Sequence, residues 1–249
     1  MLLLIIFLPL LVGTVLTAWS GSAAQPSSSQ RSRTAWLAAG VTAASFILLL
    51  AHAPAILGGQ AQTSFTAWVP EIGLNLGLRL DGLSLMFALL ITGIGLLIVI
   101  YAHFYLAASD PAGKFYTLLM LFMAAMLGVV MSDNIMLLVV FWELTSVSSF
   151  LLVGYWGHKE EARAGARMAL AVTGGGGLVM LAGFVLLGQV AGTYELSELL
   201  TRGDIIKADP LYPLLLGLIL VGCFTKSAQV PFHFWLPEAM AAPTPVSAY

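Results

Sequence analysis

The chain has 249 residues, of which 59% are hydrophobic and only 9% charged. A soluble domain carries about 25% charged residues, so this composition excludes a soluble globular protein and fits a helical membrane protein whose solvent is the bilayer. The net charge of −2 leaves no basic footprint for nucleic acid, and the single cysteine, Cys223, excludes an internal disulfide framework and a zinc spacing.

Seven apolar runs follow one another, so the expected fold is an all-α, polytopic membrane bundle of about seven transmembrane helices. The first run, Leu2 to Trp19, has no Lys or Arg before it, which a signal peptide should have, so it reads as a retained span. A Ser-rich loop reaching Arg33 leads to the second span, Ala35 to Leu57. The alternating stretch GLNLGLRLD then predicts a short hairpin or extended segment at the membrane surface.

The third span is predicted from Leu83 to Leu106, with Asp81 capping it, and the fourth from Phe115 to Met131. Ser132 or Asp133 is expected to cap the fifth, which runs to Trp156. The sixth covers Met168 to Val190. The segment TYELSELLTRGDIIKADP then predicts a short surface helix, with Leu196, Leu199 and Leu200 on one face. The seventh span covers Leu211 to Trp235, and no element is expected in PEAMAAPTPVSAY.

Lysine and arginine set the orientation. Arg31, Arg33, Lys114, Lys159, Arg163 and Arg167 follow the odd-numbered spans, whereas only Arg79, Arg202 and Lys207 follow the even ones. The positive-inside rule places the first set in the cytoplasm and the N-terminus outside.

Two ionisable residues lie within apolar spans. Glu143 sits in the middle of the fifth and Lys226 in the middle of the seventh. A charge at bilayer depth costs about 2.5 to 3.5 kcal/mol on insertion scales and marks an ion pathway by default. Opposite signs at similar depth suggest a pair facing the bundle interior. The plainer alternative for Glu143 is a protonated acid bonded to a neighbouring hydroxyl. Desolvation and a nearby carboxylate act in opposite directions on a lysine's hold on its proton, so moving the partner can switch it. Thr225, Ser227 and Gln229 could hold water beside Lys226. Pro231 removes a backbone donor and breaks the helix next to it. Broken helices recur at transporter ion sites.

His233 lies two residues beyond Pro231 and is either a proton relay or part of an aromatic belt with Phe232, Phe234 and Trp235. His103 reads as interfacial. Arg163 and Arg167 read as a solvated helix entry, with an ion pair to a deeper acid as the alternative for Arg167. Glu238 is a surface candidate for proton uptake. The glycine run 174–177 lacks a GK[ST] ending and reads as close helix packing. No hydrolytic set, cofactor site or metal site stands out.

Three stretches carry a resemblance. DGLSLMFALLITGIGLLIVIYAHFYL (81–106), FWELTSVSSFLLVGYW (141–156) and FTKSAQVPFHFWLPEAMAAPTPVSAY (224–249) resemble the antiporter-like subunits shared by respiratory complex I, membrane hydrogenases and Mrp-type multisubunit Na⁺/H⁺ antiporters. Among these, the wording is most similar to the N-terminal part of the Mrp A subunit. The resemblance implies that Glu143, in the WEL motif, and Lys226, in the TKSAQ motif, form a charge pair whose opening and closing moves protons. It implies residues 1–70 as N-terminal helices and loops, and 71–249 as an antiporter-like proton-translocating domain that stops before an eighth, histidine-bearing helix. It further implies a bacterial inner-membrane hetero-oligomer exchanging Na⁺ or another monovalent cation for protons. The rival expectation is a proton-pumping subunit of a redox complex, and a third is a non-transporting piece.

Overall fold

The computed structural model describes residues 2–20 and 28–249. The small-residue stretch 21–27, half of the predicted first loop, lies outside the described residues. Long apolar runs without internal hydrogen-bonding alternatives form helices, because in lipid each backbone N–H must be satisfied within its own segment. The helices are α1 (Leu2–Ser20), α2 (Ser28–Leu57), α3 (Gly82–Tyr105), α4 (Ala112–Met131), α5 (Ile135–Val153) and α6 (Glu160–Ala191). The short α7 (Leu196–Leu199) and α8 (Gly203–Ala208) lead into α9 (Tyr212–Lys226), α10 (Trp235–Ala239) and α11 (Thr244–Ser247). Helices α2 to α6 are long and apolar enough to cross a membrane, and Leu2–Val15 and Tyr212–Lys226 are shorter apolar helices.

Helices pack mostly against sequence neighbours, but α1 packs chiefly against α4. α1 lies on α4 and α2, α2 on α3, α4 on α5, α5 on α6, and α6 on α9 and α10. The core of the first four helices is filled by Phe115, Tyr116, Met120, Met123 and Leu127, each at most 1% exposed. Outward faces carry Leu97, Phe104 and Leu178, between 64% and 77% exposed, as lipid-facing helix surfaces do.

The predicted extended segment is a two-stranded antiparallel hairpin, β1 (Gln62–Val69) and β2 (Leu74–Leu80), a small sheet among the mainly helical described residues. A 3₁₀ turn at Pro70–Ile72 joins the strands and ends at Gly73, whose φ of 71° favours glycine. The Tyr194 ring occupies the space a Gly73 side chain would need.

Several boundaries differ from the sequence reading. Arg31 and Arg33 stand on α2, not in a loop, and Arg31 donates to the Leu106 and Ala107 carbonyls at 3.0 and 2.7 Å. A guanidinium is favoured at the end of a helix, where carbonyls are left unpaired. Asp81 does cap α3, accepting from the Leu83 and Ser84 N–H groups in a reciprocal box with Ser84. The cap of α5 is Asn134, not Ser132 or Asp133, because Asn134 Oδ1 accepts from Leu137 N at 3.0 Å. Ser132 instead donates to the Gly128 carbonyl, and Asp133 accepts from Ser197.

The predicted surface helix is split in two, and Leu200 is 71% exposed while Leu199 is buried. The final stretch is ordered, contrary to expectation. Proline is tolerated in the first turn of a helix, so Pro237 and Pro245 permit α10 and α11. Tyr249 fastens the end by donating to the Ile91 carbonyl at 3.0 Å and stacking edge-on to Phe122.

Candidate functional site

The site is built where α5, α6 and α9 meet. Glu143 is the ninth residue of α5, about 12 Å along its axis, and Lys226 is the last residue of α9. The helix stops there as Pro231 predicts, and the chain passes through an irregular stretch before a 3₁₀ turn at Phe232–Phe234 and α10. The break is stabilised from outside the helix. Trp235 Nε1 donates to the Thr225 carbonyl at 2.9 Å, supplying a partner that the interrupted helix no longer provides. Gln229 N returns to the Phe224 carbonyl at 2.9 Å.

The glycine run of α6 forms the opposite wall. A Cβ at Gly177 would overlap Glu143 Oε1, and one at Gly176 would overlap the Thr225 hydroxyl. Close helix packing is therefore the role of Gly176 and Gly177, which make room for the end of α9 and for the carboxylate of α5, whereas a Cβ at Gly175 would meet nothing within 4 Å.

Glu143 and Lys226 are near enough for their charges to interact, but no ion pair joins them within 4 Å. Lys226 Nζ donates instead to Thr145 Oγ1 at 2.7 Å and Ser146 Oγ at 3.0 Å. The Trp142 ring centroid lies 5.6 Å from Nζ. Glu143 Oε1 and Trp142 Nε1 are buried without a hydrogen-bond partner. A cavity of about 290 Å³ opens beside this group, with Phe87, Phe122, Met126, Trp142, Thr145 and Lys226 among its walls.

The hydroxyls expected beside Lys226 on its own helix face elsewhere. Thr225 donates to the Gly222 carbonyl and Ser227 to that of Cys223. The hydroxyls that hold the lysine come instead from α5, within the word ELTS. Ser146 lies three residues after Glu143, and residues three apart share a helix face.

His233 is exposed in the 3₁₀ turn beyond the break and is not hydrogen-bonded to Lys226. His103 stacks near Trp36 and Phe104, both more than half exposed, in keeping with an interfacial position. Arg163 donates to the Gly157 carbonyl, and Arg167 and Glu238 are exposed. Among the described residues no three of His, Cys, Asp and Glu are grouped to hold a metal ion.

At the hairpin end of the bundle a second polar cluster went unpredicted. Asn134 Nδ2 donates to the Gly73 carbonyl and to Glu195 Oε1, each at 2.9 Å, and Asn75 Nδ2 donates to the same carboxylate oxygen at 3.0 Å. Ile135 N donates to the Tyr194 carbonyl, and Asp133 N to that of Gly77, each at 2.9 Å. This ties β2, the start of α5 and the chain after α6 into one junction.

Residues 132–249 match the family described as NADH:quinone oxidoreductase/Mrp antiporter, TM, and residues 68–116 that described as NADH-Ubiquinone oxidoreductase (complex I), chain 5 N-terminus. A probable K(+)/H(+) antiporter A/B subunit from Rhizobium meliloti (strain 1021) is 51% identical over 89% of this chain and 22% of its own length. A Na(+)/H(+) antiporter A subunit from Alkalihalophilus pseudofirmus is 45% identical over 88% of this chain and 28% of its own. Among solved structures, the Mrp complex from Dietzia sp. DQ12-45-1b has a chain superposing with a TM-score of 0.81 at 31% identity, covering 99% of this chain and 26% of that one. The archaeal membrane-bound sulfane sulfur reductase shares the fold, with a TM-score of 0.78 at 23% identity over 99% of this chain and 49% of that one. The chain thus spans about a quarter of the length of the antiporter subunits it matches.

Proposed function

We propose that this chain, which belongs to the NADH:quinone oxidoreductase/Mrp antiporter family of membrane subunits and corresponds to the N-terminal part of an Mrp A subunit, helps exchange a monovalent cation for protons. It acts within a hetero-oligomeric complex in a bacterial inner membrane. The cation is Na⁺ or another monovalent cation. The N-terminus and the hairpin face outward, and the basic turns face the cytoplasm.

Glu143 and Lys226 are the moving charge pair. The observation that supports this most is the arrangement at mid-bundle: Lys226 rests on two hydroxyls of α5 while Glu143 Oε1, on the same helix, is buried without a partner. An unpaired charge at this depth is costly, so closing or opening the pair changes the proton affinity of both groups together. The broken end of α9 lets the lysine move, and the glycine cradle of α6 keeps the carboxylate facing it. His233, just past the break, relays protons between the pair and the cytoplasmic side.

The test is Glu143→Gln, and separately Lys226→Ala, in the full-length subunit within its assembled complex. Cation-driven collapse of a pH gradient in everted vesicles is expected to disappear while assembly persists. Normal exchange by an assembled Glu143→Gln complex rules the reading out.

A further inference from the structure

The two hydroxyls beneath Lys226 are committed in their direction. Thr145 Oγ1 donates its own proton to the Trp142 carbonyl at 2.6 Å, and Ser146 Oγ donates to the same carbonyl at 3.3 Å. A hydroxyl has one proton and two lone pairs. With the protons spent on the helix, each oxygen presents only lone pairs to the ammonium, at 2.7 and 3.0 Å. Both residues are buried, at 4% and 1% exposure, and the Trp142 ring stands beside the ammonium.

These groups form a built seat for a cation that is not the carboxylate. Ser146 follows Glu143 by three residues, so the seat lies about 4.5 Å further along α5. α9 ends at Lys226, so no further helical turn follows to hold the side chain in one direction. We infer that Thr145 and Ser146 are positioning residues that hold Lys226 in the open position of a two-position switch, whose closed position is Glu143. The inference rests on the reading that Glu143 and Lys226 form the moving pair. A charged donor loses much by leaving a carboxylate in a low-dielectric interior unless acceptors await it. The two hydroxyls supply them, so both positions can be populated. Without the seat the ammonium stays on Glu143 and the switch stops in its closed position.

The experiment compares Thr145→Val/Ser146→Ala with Thr145→Ser in the full-length subunit of the assembled complex. Cation-driven collapse of a pH gradient in everted vesicles is the readout. The double variant is expected to lose about tenfold or more in exchange rate, and Thr145→Ser, which keeps the oxygen, to remain within about twofold. Cryo-electron microscopy of the double variant is expected to find the lysine against Glu143. Full exchange by the double variant, equal loss in Thr145→Ser, or failure of the double variant to assemble each overturns the inference. Glu143→Gln measured alongside separates the two readings. Normal exchange there removes the pair itself, whereas loss there with full exchange in the double variant removes only the seat.

Discussion

Two polar clusters among the described residues share helix α5 and are bonded in opposite ways. At the start of α5, Asn134 is fully buried and spends both amide protons and its carbonyl oxygen on fixed partners. Glu195, Asn75 and Asp133 are bonded there too, and only Asn75 Oδ1 is left buried without a partner. Two and a half turns along the helix, Glu143 Oε1 and Trp142 Nε1 have none, and Lys226 is held by hydroxyls rather than by its opposite charge. A network in which nearly every donor and acceptor is bonded makes a rigid joint. A network with spare donors and acceptors can exchange partners, which is what moving a charge requires. The hairpin end ties the start of α5 to β2 and to the chain after α6, whereas α9 ends at Lys226, where the proposed exchange of partners would take place.

The largest effect that would break this contrast comes from filling the glycine cradle. Gly177→Val places carbon where Glu143 Oε1 lies, so the carboxylate must turn away. Exchange is expected to fall by about a hundredfold, because a misplacement of about 1 Å costs that much in a positioned site. A vesicle exchange rate near normal would show that Glu143 works without its cradle.

A smaller effect is expected at the joint. Glu195→Ala leaves the Asn75 and Asn134 amides without their shared acceptor. A buried donor left unpaired costs about 1–3 kcal/mol, so the melting temperature of the purified complex should drop while residual exchange keeps its cation preference. A change in exchange with unaltered melting would move Glu195 from joint to pathway.

The smallest effect sharpens the edge of the same end. The Ser84 backbone N–H, aided by the Ser84 hydroxyl and Arg79, holds the Asp81 carboxyl below the usual carboxylate range. Asp81→Ala should cost about 1 kcal/mol of stability at neutral pH. A lowered carboxylate pKa contributes stability above the unfolded value of about 3.9 and loses it as pH falls through the folded value, so the two proteins should converge in melting temperature in strong acid. A difference that persists there would point to packing rather than the charged cap.

Much of this was written in the sequence. Runs of apolar residues long enough to cross a bilayer form helices, so the helical bundle and the place of Glu143 within an apolar helix follow from spacing, whereas Lys226, expected in mid-span, stands at the end of α9. The break beside Lys226 follows from Pro231, and the α3 cap from Asp81, because both effects are local to a few residues. Partner choice is different. That Lys226 rests on Thr145 and Ser146, that Asn134 and not Asp133 caps α5, and that Asn75 reaches Glu195 depend on which helices approach, at what register and how closely. Gly176, Gly177 and Gly222 set that distance between α6 and its neighbours. A hydrogen bond works over a few tenths of an ångström, so the chain's pattern places a polar group at a depth and only the packed bundle decides what it touches.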